Sequence, residues 1–139
     1  MGSGAILTEV IKAAQLLAGH GVNATVFSVT SWSELAREAD PALGGADRVP
    51  LGADTADRVA ASRTPYVAQL LQTSQGPIVA ATDYVRAVPE SIRAFVPAGR
   101  AYITLGTDGF GRSDTRSALR AYFGVDAASI AKAALRALG

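Results

Sequence analysis

The feature that most constrains this chain is the alternation along its length of helical and strand-like hydrophobic patterns. Over 5–18 the apolar residues Ile6, Leu7, Val10, Ile11, Ala14, Leu17 and Ala18 recur at intervals of three and four, leaving Glu9, Lys12 and Gln15 on other faces. That spacing predicts an amphipathic helix, which Gly19 is expected to end. The stretch 22–29 is rich in β-branched residues and predicts a buried strand. Ser31 and Glu34 then stand at capping-box spacing and open a second helix. Beyond a long irregular segment the same reading predicts helices over 65–72, 88–95, 115–123 and 126–138 and strands over 77–82 and 101–105, with Gly124 separating the last two helices. Helices alternating with short apolar strands point to a mostly parallel sheet covered on both faces, a three-layer α/β/α sandwich.

Two segments depart from this regularity. Gly2-Ser3-Gly4 forms a turn at a position where such a fold would have a first strand before it, so an open sheet edge is expected there. The stretch 38–64 mixes Pro41, Gly44, Gly45, Pro50 and Gly52 with scattered charges and has no sustained period, which predicts a long loop or insertion. At 139 residues the remainder suffices for one domain, expected to span 1–139 with that loop inside it.

Composition narrows the chemistry. Thirteen Lys and Arg against twelve Asp and Glu leave a formal charge of +1, too small a field to favour nucleic acid or anionic lipid as partner. With no cysteine, disulfides, thiolate nucleophiles and Cys-based metal sites are excluded. The apolar runs are far shorter than a membrane span and the first residues lack signal-peptide character, so a soluble cytoplasmic protein is expected. The single histidine, His20, sits between Gly19 and Gly21, where it complements the carbonyls at a helix end more readily than it catalyses. No catalytic, cofactor-binding or metal-ligating residue is assigned.

Two glycine-rich stretches are the candidate anion or interface loops. Gly2, Ser3 and Gly4 precede a helix whose first N–H groups could receive phosphate or carboxylate, although a structural strand-to-helix turn explains so short a stretch better. The denser stretch, 106–114, follows a strand at the carboxyl end where α/β sheets place their sites. In it Asp108, Arg112, Ser113 and Asp114 carry the polar groups: Arg112 is suited to a carboxylate or phosphate, Ser113 or Asp114 to capping the next helix, and Phe110 to anchoring the loop on apolar surface. Asp83, closing a strand beside Tyr84 and Arg86, reads as a helix cap or ion-pair partner.

The run Leu105-Gly106-Thr107-Asp108-Gly109-Phe110-Gly111-Arg112-Ser113-Asp114, with Leu119, Phe123 and Val125-Asp126 behind it, resembles the carboxy-terminal domain of homodimeric-type pyruvate dehydrogenase E1 enzymes, a transketolase C-terminal-like fold. Supporting matches follow in the family's order: Gly2-Ser3-Gly4 with Ile6-Leu7, Ser28-Val29-Thr30-Ser31 with Glu34-Leu35-Ala36-Arg37, Pro65-Tyr66-Val67, Ala81-Thr82-Asp83-Tyr84 and Phe95-Val96-Pro97. The Gly-Arg-Ser-Asp form of the loop favours E1 over transketolase, the alternative parent. The resemblance implies a parent that decarboxylates pyruvate oxidatively with thiamine diphosphate and Mg²⁺ and passes acetyl to the lipoyl group of the E2 dihydrolipoyl acetyltransferase. It implies that this domain contacts other E1 domains in a homodimer, holds no cofactor and serves assembly. A stand-alone module for small anions or nucleotides is the other reading.

Overall fold

The computed structural model describes residues 1–40 and 64–139. A 3₁₀ turn, Gly4–Ile6, leads into helix α1 (Leu7–Gly19), followed by α2 (Trp32–Ala39), α3 (Tyr66–Gln72), strand β1 (Ile78–Ala81), α4 (Ala87–Glu90), a second 3₁₀ turn (Arg93–Phe95), β2 (Tyr102–Leu105), α5 (Arg116–Phe123) and α6 (Ala127–Leu138). Strands β1 and β2 pair in parallel, with Ile78 opposite Tyr102 and Ala81 opposite Leu105. Gly2 extends the sheet through parallel bridges to both Ala81 and Ser28. Its N–H donates to the Phe27 carbonyl at 3.0 Å, its carbonyl accepts from Val29 at 2.8 Å, and the Ser3 N–H donates to the Ala81 carbonyl at 3.3 Å. Across the sheet the order is therefore Ser28, Gly2, β1, β2. The open edge expected at Gly2 does not exist, because the residues read as a turn are an inner rung of the ladder and only Gly4 turns.

Alternation along β1 divides the interior in two. Ile78 and Ala80 face a cluster with Val29, Trp32, Ala36, Val67, Leu71 and Ile92, under α2, α3 and α4. Ala81, with Val79 beside it, faces Ile6, Val10, Ala13, Leu17, Val125, Ile130 and Ala131, under α1 and α6. Two helical layers thus sandwich one parallel sheet, the α/β/α arrangement that the alternation predicts. Leu71 and Ile92 are almost wholly excluded from solvent, and burial of such a side chain contributes about 1.5–3 kcal/mol.

Several boundaries differ from expectation. The strand over 22–29 shrinks to the bridge at Ser28, with residues 22–27 lying outside regular structure. The helix over 88–95 breaks into α4 and the 3₁₀ turn. Ser91 Oγ bonds back to the Val88 carbonyl at 2.7 Å and Pro97 follows, both of which oppose a continuous helix. Helix α1 is ended by Gly21 rather than Gly19. Gly21 takes φ +73°, its N–H reaches the Ala18 carbonyl and the Val22 N–H reaches Leu17, a Schellman closure with His20 as the half-helical residue before it. At the start of α2, Ser31 Oγ accepts from the Glu34 N–H at 3.2 Å, but the Glu34 carboxylate pairs with Arg37, so the capping box is half made. Helix α2 runs two residues into the loop expected over 38–64; the part over 41–63 lies outside the described residues.

Candidate interface and ligand site

The carboxyl ends of the strands bring together segments far apart in sequence. Ser3 Oγ donates to Thr82 Oγ1 at 2.9 Å inside the protein, joining the first rung to the end of β1. After β2 the chain turns back across the end of β1: the Thr107 N–H donates to the Tyr84 carbonyl at 2.9 Å and its hydroxyl to the Asp83 carbonyl at 2.8 Å. Asp108 completes the clamp, accepting from the Arg86 backbone N–H at 2.8 Å and pairing with the Arg86 guanidinium. The Arg86 backbone bond, then the guanidinium, hold its carboxyl below the usual carboxylate range. The second glycine-rich loop is thereby fixed at its root.

From Gly109 onward the loop stands out from the body. Phe110 is 94% exposed, so it does not anchor the loop as expected. Tyr84, Val85 and Tyr122 are exposed large side chains near the same edge. Arg112 lays its guanidinium 4.2 Å from the centre of the Tyr122 ring, an aromatic platform for a cation. Capping of α5 falls one residue later than expected. The Thr115 hydroxyl accepts from the Ala118 N–H at 3.3 Å, while Asp114 accepts from the Thr115 N–H at 2.7 Å and Ser113 is exposed.

A cavity of about 380 Å³ opens beneath this loop, lined by Ala5, Ile6, Asp83, Thr107, Gly109 to Arg112, Arg116, Leu119, Arg120, Phe123 and Val125. Of the seven residues singled out in the sequence, Arg112 alone lines it. Gly2 and Ser3 use their amides in the sheet, and a Cβ on Gly4 would stand 2.9 Å from a carboxylate oxygen of Asp83, which makes that turn an acidic neighbourhood. Cation-rich walls come instead from Arg112, Arg116 and Arg120. The last two were missed, although their spacing of four is legible as one helix face. Arg120 is already engaged, donating to Glu9 Oε1 at 2.9 Å.

Glu9, 6% exposed, also accepts from Lys12 at 3.1 Å and from the Ala127 N–H at 3.2 Å, tying α1 to α5 and α6. Burial alone would raise its pKa; Lys12, the Ala127 N–H and Arg120 together bring it below the ordinary value. His20 is exposed and lies outside the cavity lining. Among the described residues no three His, Asp or Glu lie close enough to share a metal ion, and no helix is long and apolar enough to cross a membrane.

A parallel sheet covered on both faces, with its long polar loop at the carboxyl edge, defines the class of protein: residues 1–126 match the transketolase-like C-terminal domain, and the chain belongs to that family. Among its relatives are pyruvate dehydrogenase E1 components. The chain is 46% identical over 139 residues to that of Mycobacterium tuberculosis, 49% over 139 residues to that of Haemophilus influenzae, and 44% over 136 residues to that of Escherichia coli. These matches take in 97–99% of this chain and 14% of each relative, so the chain spans about one seventh of their length.

Proposed function

We propose that the chain is the assembly domain of a thiamine-diphosphate-dependent pyruvate dehydrogenase E1, holding other E1 domains in a homodimer and contributing no catalytic residue. The observation that carries this reading is Phe110, which the specific loop presents almost fully to solvent on a root clamped to Tyr84 and Arg86. An exposed aromatic carried just beyond a clamped loop root is suited to fill a pocket on a partner surface. The parent enzyme would carry out oxidative decarboxylation of pyruvate and acetyl transfer to lipoyl-E2. The described residues do not fit Mg²⁺-bound diphosphate, since Asp83 is the one carboxylate of the cavity lining.

Sedimentation velocity tests the reading, using the chain alone and the chain mixed with an E1 polypeptide truncated before this domain. Association with that polypeptide is expected, and Phe110→Ser should weaken it by about 2 kcal/mol, roughly thirtyfold, as for a buried aromatic anchor. Absence of association, or micromolar binding of thiamine diphosphate by the isolated chain in calorimetry, would overturn it.

A further inference from the structure

The cavity beneath loop 106–114 carries charges of both signs that the fold leaves uncommitted. The Arg116 guanidinium makes no ion pair or hydrogen bond among the described residues, and that of Arg112 is held only by the face of Tyr122, with its N–H edges available. Among the described residues Asp83 likewise keeps its carboxylate without an ion pair, although its backbone carbonyl is bound by Thr107. The same cavity has an apolar part in its lining, from Leu119, Phe123 and Val125. The volume of about 380 Å³ lies at the small end of ligand pockets.

These requirements select a ligand class. With Arg120 already paired to Glu9, a polyanion would satisfy the other arginines but meet Asp83, a cation would meet the guanidinium groups of Arg112 and Arg116, and a neutral apolar molecule would strip water from these uncommitted charges without replacing it. We infer that the cavity binds a small zwitterion of the α-amino-acid kind, with its carboxylate on Arg112 and Arg116, its ammonium on Asp83 and an apolar side chain against Leu119 and Phe123. Arginine suits the carboxylate because its planar fork donates two parallel N–H groups, and stacking on Tyr122 restricts one of the two forks before the ligand arrives. Because the charged groups remain partly hydrated, the expected Kd is about a millimolar. Phe110 belongs both to the cavity lining and to the proposed assembly surface, but binding is measured on the chain alone, so it can fail while association with E1 succeeds, and the reverse.

The test is amide chemical-shift titration of the full chain with L-leucine, with 4-methylpentanoate, which lacks the ammonium, with isopentylamine, which lacks the carboxylate, and with inorganic phosphate. Saturable shifts with leucine at Gly109, Gly111 and Leu119, and at least tenfold weaker binding of the other three, are the expected result. Arg116→Ala, an exposed change with no contact to lose, should weaken leucine about tenfold while leaving the rest of the spectrum in place. Asp83→Asn should erase the preference for leucine over 4-methylpentanoate. Equal binding of leucine and 4-methylpentanoate, tighter binding of phosphate, absence of saturable shifts, or indifference to Arg116→Ala would each overturn the inference. Should Asp83→Asn fail to fold, the analogue series and Arg116→Ala still decide it.

Discussion

Gly106 shows how little room the loop root leaves. A Cβ there would stand 2.5 Å from the Tyr84 carbonyl oxygen and 2.8 Å from the Arg86 nitrogen, both backbone atoms that cannot swing aside. The same two residues hold Thr107 and Asp108, so relief by moving the loop would break the clamp. Gly106→Ala is expected to destabilise by about 2–3 kcal/mol, as overpacking against fixed atoms does. Urea denaturation of the two proteins measures it; a loss below about 0.5 kcal/mol would show that the root is not rigid. Sequence reading found this glycine in a dense polar loop but not its constraint, because a close approach to Tyr84 is a contact across two strands. Phe110 was misjudged for a related reason: an aromatic in a loop normally buries itself, and only the fold shows that none of the described residues covers it.

At the scale of elements, two carboxylates do the fastening. Glu9 binds one partner on each of three helices, Lys12 on α1, Arg120 on α5 and Ala127 at the start of α6. Removing it leaves Arg120 partly buried without its carboxylate, with the Ala5 carbonyl at 3.4 Å as its remaining acceptor, so Glu9→Ala should cost about 3 kcal/mol, read by thermal or urea unfolding. Glu90 fastens α4 to β2, binding Arg93 at 2.5 and 2.7 Å and accepting from Thr104 at 2.6 Å. The Arg93 pairing is the main reason its pKa falls from 4.5 to about 2. Since the folded protein binds this proton less readily than the unfolded chain, the stabilisation is complete above pH 4.5 and disappears as pH falls toward 2. Glu90 is about one third exposed, so solvent screening makes the effect modest. Glu90→Gln should therefore flatten the stability curve between those limits and leave its shape above pH 5 unchanged. A slope identical to the parent's would contradict the assignment. The helices these carboxylates join were legible from periodicity, whereas the pairings were not. Glu9 and Arg120 are 111 residues apart, and nothing local distinguishes Glu9 from a solvated face residue.

On the scale of the whole molecule, the alternation of patterns sufficed for the three-layer arrangement because each element must bury a face somewhere, and few arrangements bury them all. The strand over 22–29 was overestimated because β-branched content measures fit to a sheet, while pairing depends on what lies alongside; Gly2 offers one rung, to Ser28. The two hydrophobic clusters meet at β1 and share it residue by residue: Ile78 and Ala80 on one side, Val79 and Ala81 on the other. Neither helical layer can leave without stripping one face of the strand that the other layer needs. We propose on this ground that the chain unfolds as one cooperative domain. Trp32, the single tryptophan, lies in the cluster under α2 and reports on that face alone, while Glu9 fastens the opposite one. Glu9→Ala should consequently lower the urea midpoint seen by Trp32 fluorescence as much as the midpoint seen by far-ultraviolet circular dichroism, each corresponding to a stability loss of about 3 kcal/mol. Were the two layers separate units, the dichroism transition would split and the Trp32 midpoint would stay where it was.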